Sequence, residues 1–256
     1  MKEPLNQVYR EKKTFDDYPE IKKTFNELYN FNIRNNFIVK NNNNIIRVRG
    51  RCYDASVLFN SNVDFNNKIV CELGARDGIF CSWLTRYVKK IYVSDYFEEW
   101  GKGTEHDLGQ IDYWTNIWKS AAPHPEKMII GSQDITNLTY PDNFFDIVIC
   151  TSVIEHMFNQ KEWMGDMIAI REIARITKPG GLIFISTDMN EISKWHSGTF
   201  YYSECDLFDR IINPSKCKLR GRYDFNLDNI HNTNIHKVGH LQKCSSVIFS
   251  LEKPIN

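Results

Sequence analysis

The sequence predicts an α/β fold, a doubly wound and mainly parallel sheet with helices on both faces. Three observations carry that reading. From residue 68 onward, short apolar runs alternate with amphipathic stretches, as strands and their covering helices do. Seven such apolar runs fall between Lys68 and Glu252. Finally, the 256 residues, 42% hydrophobic and 25% charged, have the balance of an ordinary globular chain of about one domain, long enough to bury a core without a disulfide or metal.

Residues 1–60 form an N-terminal extension that reads as a lid or an added edge. Helical spacing links Ile21, Phe25 and Leu28, and the alternating Ile46-Arg47-Val48-Arg49-Gly50-Arg51 reads as a strand with its three arginines on one face. Such a face could hold a phosphate or carboxylate, but a solvated strand face is the preferred reading. The sheet strands are then Lys68–Leu73, Lys90–Ser94, Lys127–Gly131, Phe145–Thr151 and Gly181–Thr187. Helices fall between them at Gly78–Val88, Ile111–Ala121 and Glu162–Thr177, the last stopped by Lys178-Pro179-Gly180-Gly181. A further helix starts at Ser203, with Asp206 in the capping-box position. Cys217–Phe225 is a weaker strand, and Ser245–Glu252 closes the sheet.

Composition excludes several classes of function. Thirty-two basic and 32 acidic residues cancel, which removes the electrostatic case for DNA or an anionic membrane and disfavours RNA. The opening MKEPLNQVYREKK has no apolar leader core and no stretch approaches a membrane span, so the chain is expected in the cytoplasm with no membrane partner. Seven scattered cysteines without a C-x-x-C pair read as reduced thiols.

Chemistry is expected just after each strand, because a doubly wound sheet binds ligands beyond its carboxyl edge. The first strand runs into Glu72-Leu73-Gly74-Ala75-Arg76-Asp77-Gly78. Its two glycines permit a sharp turn and close approach of backbone to ligand. The spacing is neither G-x-G-x-x-G nor a phosphate-binding loop, which argues against a phosphate ligand or a nicotinamide-dependent oxidoreductase or epimerase. The second strand ends in Asp95, placed to accept from both hydroxyls of a ribose, and the third is followed by Asp134-Ile135. Glu72, Asp95 and Asp134 thus suit a ligand with positive charge and several donors.

These residues, with Phe145-Asp146-Ile147-Val148, Val153-Ile154-Glu155-His156 and Lys178-Pro179-Gly180-Gly181, resemble class I S-adenosylmethionine-dependent methyltransferases, most closely the small-molecule branch called type 11. The resemblance covers roughly residues 65–190 and implies a Rossmann-like sheet of seven strands with an antiparallel last strand. It makes 61–256 the methyltransferase domain, with 96–125 and 190–240 as acceptor-binding insertions. It implies S-adenosyl-L-methionine as cofactor, with Glu72, Gly74, Ala75 and Gly78 around the amino-acid end. Asp95 would take the ribose with Tyr96 beside the adenine, Asp134 and Ile135 would contact the adenine, and Thr151 or Ser152 would line the far wall. One departure is Arg76, which stands where the family has its middle glycine.

Methyl transfer is an in-line displacement, so alignment supplies most of the acceleration and a base is needed only for a protonated acceptor. His156, after the fourth strand, is the candidate base with Glu155 as its orienting partner, or the pair merely starts a helix. Trp195, His196 and Tyr201 are candidate substrate contacts, since aromatics with polar edges suit a sugar or other small polar acceptor. Trp114 and Trp118 have the helical spacing of core residues. His231, His236 and His240 match no metal-ligand spacing, and no metal is assigned. The leading expectation is methyl transfer to a hydroxyl of a sugar or other metabolite; the rival is a methyltransferase-like binding module without turnover.

Overall fold

The computed structural model describes residues 5–35, 37, 42–76, 78–97, 111–227 and 244–255, with backbone only for 42–47. The chain begins with strand β1 (Asn6–Val8) and helices α1 (Glu11–Asp17), α2 (Pro19–Arg34) and α3 (Asn42–Phe59). Next come β2 (Ile69–Leu73), α4 (Phe80–Leu84), β3 (Lys90–Asp95), α5 (Ile111–Ala121), β4 (Met128–Ser132), β5 (Phe145–Thr151), α6 (Gly165–Ile176) and β6 (Thr177–Asn190). A hairpin of β7 (Lys194–His196) and β8 (Thr199–Tyr201) leads to a helical turn at Glu204–Asp206, which continues as a π-helix over Leu207–Ile212. Three strands close the chain: β9 (Lys218–Leu219), β10 (Tyr223–Asp224) and β11 (Cys244–Glu252).

The sheet order is β10-β1-β11-β6-β5-β2-β3-β4, with β9 paired to β11. Pairs among β2 to β6 are parallel and β11 runs antiparallel to β6, as the resemblance implies. The described sheet has nine strands; β1, β9 and β10, of two or three residues each, add to its β11 side. β2 lies between β3 and β5, so the chain leaves it in opposite directions across the sheet. A crevice opens at such a reversal point, beyond the carboxyl ends of β2 and β5.

Period-two alternation divides the core into two layers. Val70, Ile91, Ile147 and Ile149 face one layer with residues of α2, α3, α4 and α5. Cys71, Leu73, Val148 and Cys150 face the other, with α6 and the π-helix. The first 60 residues are therefore built into the main core: Ile21, Leu28 and Tyr53 are at most 1% exposed. Trp83 of α4, fully buried, donates its indole N–H to Glu27 Oε1 of α2 at 3.1 Å.

Several elements depart from the sequence expectation. Residues 46–51 lie in α3 rather than a strand. Their alternation also satisfies helical spacing, because Val48, Cys52 and Ala55 fall one or two turns apart and are all buried. Arg49 turns outward to Glu11, and Arg51 turns toward β5; the side chain of Arg47 is outside the described residues. α6 starts at Gly165, three residues late, because Lys161, Glu162 and Trp163 all have positive φ (47, 57 and 68°). Trp195 and His196, candidate substrate contacts of the 190–240 insertion, sit on strand β7. Ser203 does cap its helix, accepting from the Asp206 amide at 3.1 Å. The reciprocal half of the box is absent, since the Ser203 amide donates to Ser193 Oγ.

Candidate functional site

The site starts with the turn that leaves β2. Gly74 has φ +70°, and a Cβ there would lie 2.1 Å from Val153 Cγ2, so glycine is required twice, by backbone and by contact. The amides of Gly74 and Ala75 donate to the Ser94 carbonyl at 2.8 and 3.1 Å, tying the turn to β3. Gly78 is held from the other side, where its carbonyl accepts the Trp118 indole N–H at 3.0 Å. Trp114 and Trp118 are 5% and 0% exposed, and Trp118 thereby supports the glycine turn as well as filling the core.

Beyond this turn lies a cavity walled by α2, α3 and the ends of β2 and β5. Asn32, Arg51, Glu72, Gly74, Ala75, Arg76, Gly78 and Thr151 line it. Glu72 is 6% exposed and its Oε2 has no hydrogen-bond partner among the described residues. Burial pushes its carboxyl up to about 7, against the opposing pull of the Arg51 charge and the Cys81 amide. Arg51 donates to the carbonyl and hydroxyl of Thr151. An unpartnered carboxylate oxygen and a guanidinium thus share one pocket wall.

Two further buried carboxyls lie near Arg51. Asp54 accepts from Ser186 Oγ at 2.7 Å and Glu155 from Thr187 Oγ1 at 2.9 Å. Burial raises Asp54 to about 6 and Glu155 to about 7. Sequence reading named Arg51 but on the wrong kind of element, and it missed Asn32 and Asp54. The available signal was their spacing on α2 and α3, polar residues on otherwise apolar faces.

The β3 end differs from expectation in one respect. Asp95 accepts from the Tyr96 amide at 2.8 Å and the Arg76 amide at 3.2 Å, and it pairs with the Arg76 guanidinium at 2.9 Å. Arg76 therefore folds back onto the carboxylate expected to serve a ligand. Asp134 accepts from the amide and hydroxyl of Thr136 at 2.8 and 2.7 Å, a local turn. Ile135 is 7% exposed in the α6-side layer with Leu138 and Leu73, and like Asp95, Tyr96, Asp134 and Ser152 it is not among the residues that line the cavity with Glu72. Ser152, φ +49°, follows β5 and donates its amide to the Ser186 carbonyl at 2.8 Å.

On the β5 side, His156 and Glu155 share a 3₁₀ turn (Ile154–His156) but point apart. Glu155 is 1% exposed and turned inward to Thr187, so it does not orient His156. The exposed His156 instead sets Nδ1 2.9 Å from the Gly198 carbonyl, in the turn of the β7–β8 hairpin. The hairpin packs its aromatics on the same region: Trp195 stacks near Phe158 with ring centroids 5.8 Å apart, and Phe158 stacks on Phe200 at 3.7 Å. His196 is exposed, whereas Tyr201 is buried and its phenol is raised by burial and by Asp188. Trp100, His106, His231, His236 and His240 lie outside the described residues.

Comparison with known proteins now bears on this arrangement. A family described as a methyltransferase domain matches residues 46–211, more than half of the chain. No curated protein matches it. Among solved structures, the [4+2]-cyclase SpnF superposes with a TM-score of 0.58 at 15% identity, covering 82% of this chain and 84% of its own. The YcgJ protein of Bacillus subtilis gives 0.53 at 12% identity (80% and 99% covered), and an S-adenosylmethionine-dependent methyltransferase from Mesorhizobium loti 0.51 at 12% (75% and 93%). At such identities the structural likeness is one of fold, and the cyclase shows that the fold also serves other chemistry. The family match and the sheet order agree: the chain belongs to the methyltransferase-domain family and has the fold of class I S-adenosylmethionine-dependent methyltransferases.

Proposed function

We propose that the protein transfers a methyl group from S-adenosylmethionine to a small polar acceptor, a hydroxyl of a sugar or other metabolite. The observation that carries the cofactor half is the buried Glu72 Oε2, without a hydrogen-bond partner among the described residues, lining one cavity with Arg51 beside a turn with no Cβ at Gly74. An amino-acid end carries an ammonium and a carboxylate, and a buried carboxyl with a half-buried guanidinium in one cavity complements that pair. The residues therefore fit the cofactor. Glu72 would hold its ammonium, Arg51 its carboxylate, and the backbone of Gly74, Ala75 and Gly78 would pass beneath it. Asp95 would accept from the ribose hydroxyls, Tyr96 and Asp134 would border the adenine, and Thr151 and Ser152 would form the wall after β5. When bound, the cofactor supplies an electrophilic methyl group on a sulfonium.

The acceptor half rests on the β5 side. The Gly198 carbonyl fixes the proton of His156 on Nδ1, which leaves the Nε2 lone pair able to take a proton from a hydroxyl. The adjoining hairpin supplies the half-buried Trp195 for stacking and the exposed His196 for hydrogen bonds, whereas Tyr201, buried, offers no face to an acceptor. The test is calorimetric titration with S-adenosylhomocysteine, with NAD in a parallel cell. Micromolar binding of the former alone, about 8 kcal/mol, supports the reading and opens an acceptor screen. Binding of NAD alone, or of neither by protein with a cooperative melt, overturns it.

A further inference from the structure

The carboxylate assigned above to the ribose already holds a cation. Asp95 Oδ1 accepts the Tyr96 amide at 2.8 Å and faces Arg76 Nη2 at 2.9 Å, while Oδ2 accepts the Arg76 amide at 3.2 Å. The two side chains are 15% and 11% exposed, and the guanidinium lies 5.9 Å from the Phe97 ring centre. A carboxylate offers about four lone-pair directions, two on each oxygen. Three are in use among the described residues, both of those on Oδ1 and one on Oδ2. A vicinal diol donates two hydrogen bonds, one to each oxygen in the bidentate arrangement, so one of the present donors has to leave. Two of them are backbone amides fixed by the turn and by β3. The third is the end of a flexible side chain.

We infer that Arg76 is a built-in competitor for Asp95, and that residue 76 thereby sets the affinity of the cofactor pocket. The inference rests on the proposed cofactor. A guanidinium on a carboxylate pairs two opposite charges, whereas the hydroxyl that replaces it brings a neutral donor to the same carboxylate. Ligand binding therefore includes the cost of releasing Arg76 to another partner or to solvent. Glycine at position 76 removes both the competitor and that cost, and leaves the Asp95 carboxylate free of the cation.

The test compares wild type, Arg76→Gly, Asp95→Asn and the double variant by titration with S-adenosylhomocysteine, alongside thermal melts with and without it. Arg76→Gly is expected to bind about tenfold more tightly, although its ligand-free melting temperature falls with the lost ion pair. Its ligand-induced rise in melting temperature grows. In the Asp95→Asn background the gain from Arg76→Gly disappears, because the competition acts through the carboxylate. Unchanged or weaker binding by Arg76→Gly overturns the inference and makes Arg76 a contributor to the ligand site. A gain that persists in Asp95→Asn also overturns it, since the arginine would then act by bulk alone. If no folded variant binds S-adenosylhomocysteine, the proposed cofactor itself fails; binding by wild type without the gain removes this inference only.

Discussion

Burial without a full complement of partners holds the Glu72 carboxyl at about 7, above its ordinary 4.5, and Asp54 and Glu155 are raised alike, to about 6 and about 7. Between about pH 4 and 7 the folded protein keeps protons that the unfolded chain has released. Stability of the ligand-free protein therefore falls as pH rises through that window. The melting temperature is expected to drop from pH 5 to pH 8, and Glu72→Gln to flatten the drop and melt higher than wild type at pH 8. The same variant should bind S-adenosylhomocysteine roughly tenfold or more weakly, because a neutral amide cannot hold an ammonium as a carboxylate does. A melt profile that rises with pH would contradict the burial argument. His156→Ala is expected to leave that affinity intact and to lower transfer by a factor on the order of 10² or more once an acceptor is known; equal loss of both would make it structural. At this scale the sequence was most legible at strand ends, where Glu72, Gly74 and Asp95 stand. Arg51 was less so, because arginines at alternate positions read as a strand face until the neighbouring Val48, Cys52 and Ala55 show a helix.

Among the elements, the turn between β2 and α4 is the most constrained. Gly74→Ala combines a left-handed backbone with a side-chain clash against Val153, and a cost of about 2–4 kcal/mol is expected. Adding Val153→Ala should recover the part due to contact and leave the part due to φ, a split that chemical denaturation of wild type, the two single variants and the double variant would resolve. Full recovery would show that backbone strain is unimportant there. Long periodic elements were legible: β5 and α5 match the sequence expectation residue for residue. The short strand β1 was not, because three residues display no period and are defined only by their partners, and the weaker strand expected at Cys217–Phe225 is divided into the two-residue strands β9 and β10. The late start of α6 escaped for a related reason, since nothing in Lys161, Glu162 and Trp163 announces positive φ.

For the molecule as a whole, the position of α2 and α3 decides what the N-terminal extension is. Their residues share a layer with α4, α5 and the sheet, and they wall the cavity that holds Glu72. Deleting residues 1–60 is therefore expected to abolish the cooperative thermal transition and the near-ultraviolet circular dichroism, whereas loss of a detachable lid would preserve both. The division into layers was legible from the alternation of apolar runs; the use of the extension as one of those layers was not, since Ile21, Phe25 and Leu28 show an apolar face without saying what it meets. β1 carries a last consequence. Its Asn6 accepts from the Ser250 amide, 244 positions away, and donates to the carbonyls of Arg220 and Arg222. The edge of the sheet is thus a clasp between the two most distant stretches of the described chain, and such a clasp carries the largest closure entropy in the fold. A ribosome delivers β1 well before its partner, since Asn6 and Ser250 stand 244 positions apart, so the strand waits through that interval with its edge unpaired. In that interval the same pairing can be satisfied by a neighbouring nascent chain, and exchange of β1 between copies is the misassembly to which this architecture is most exposed.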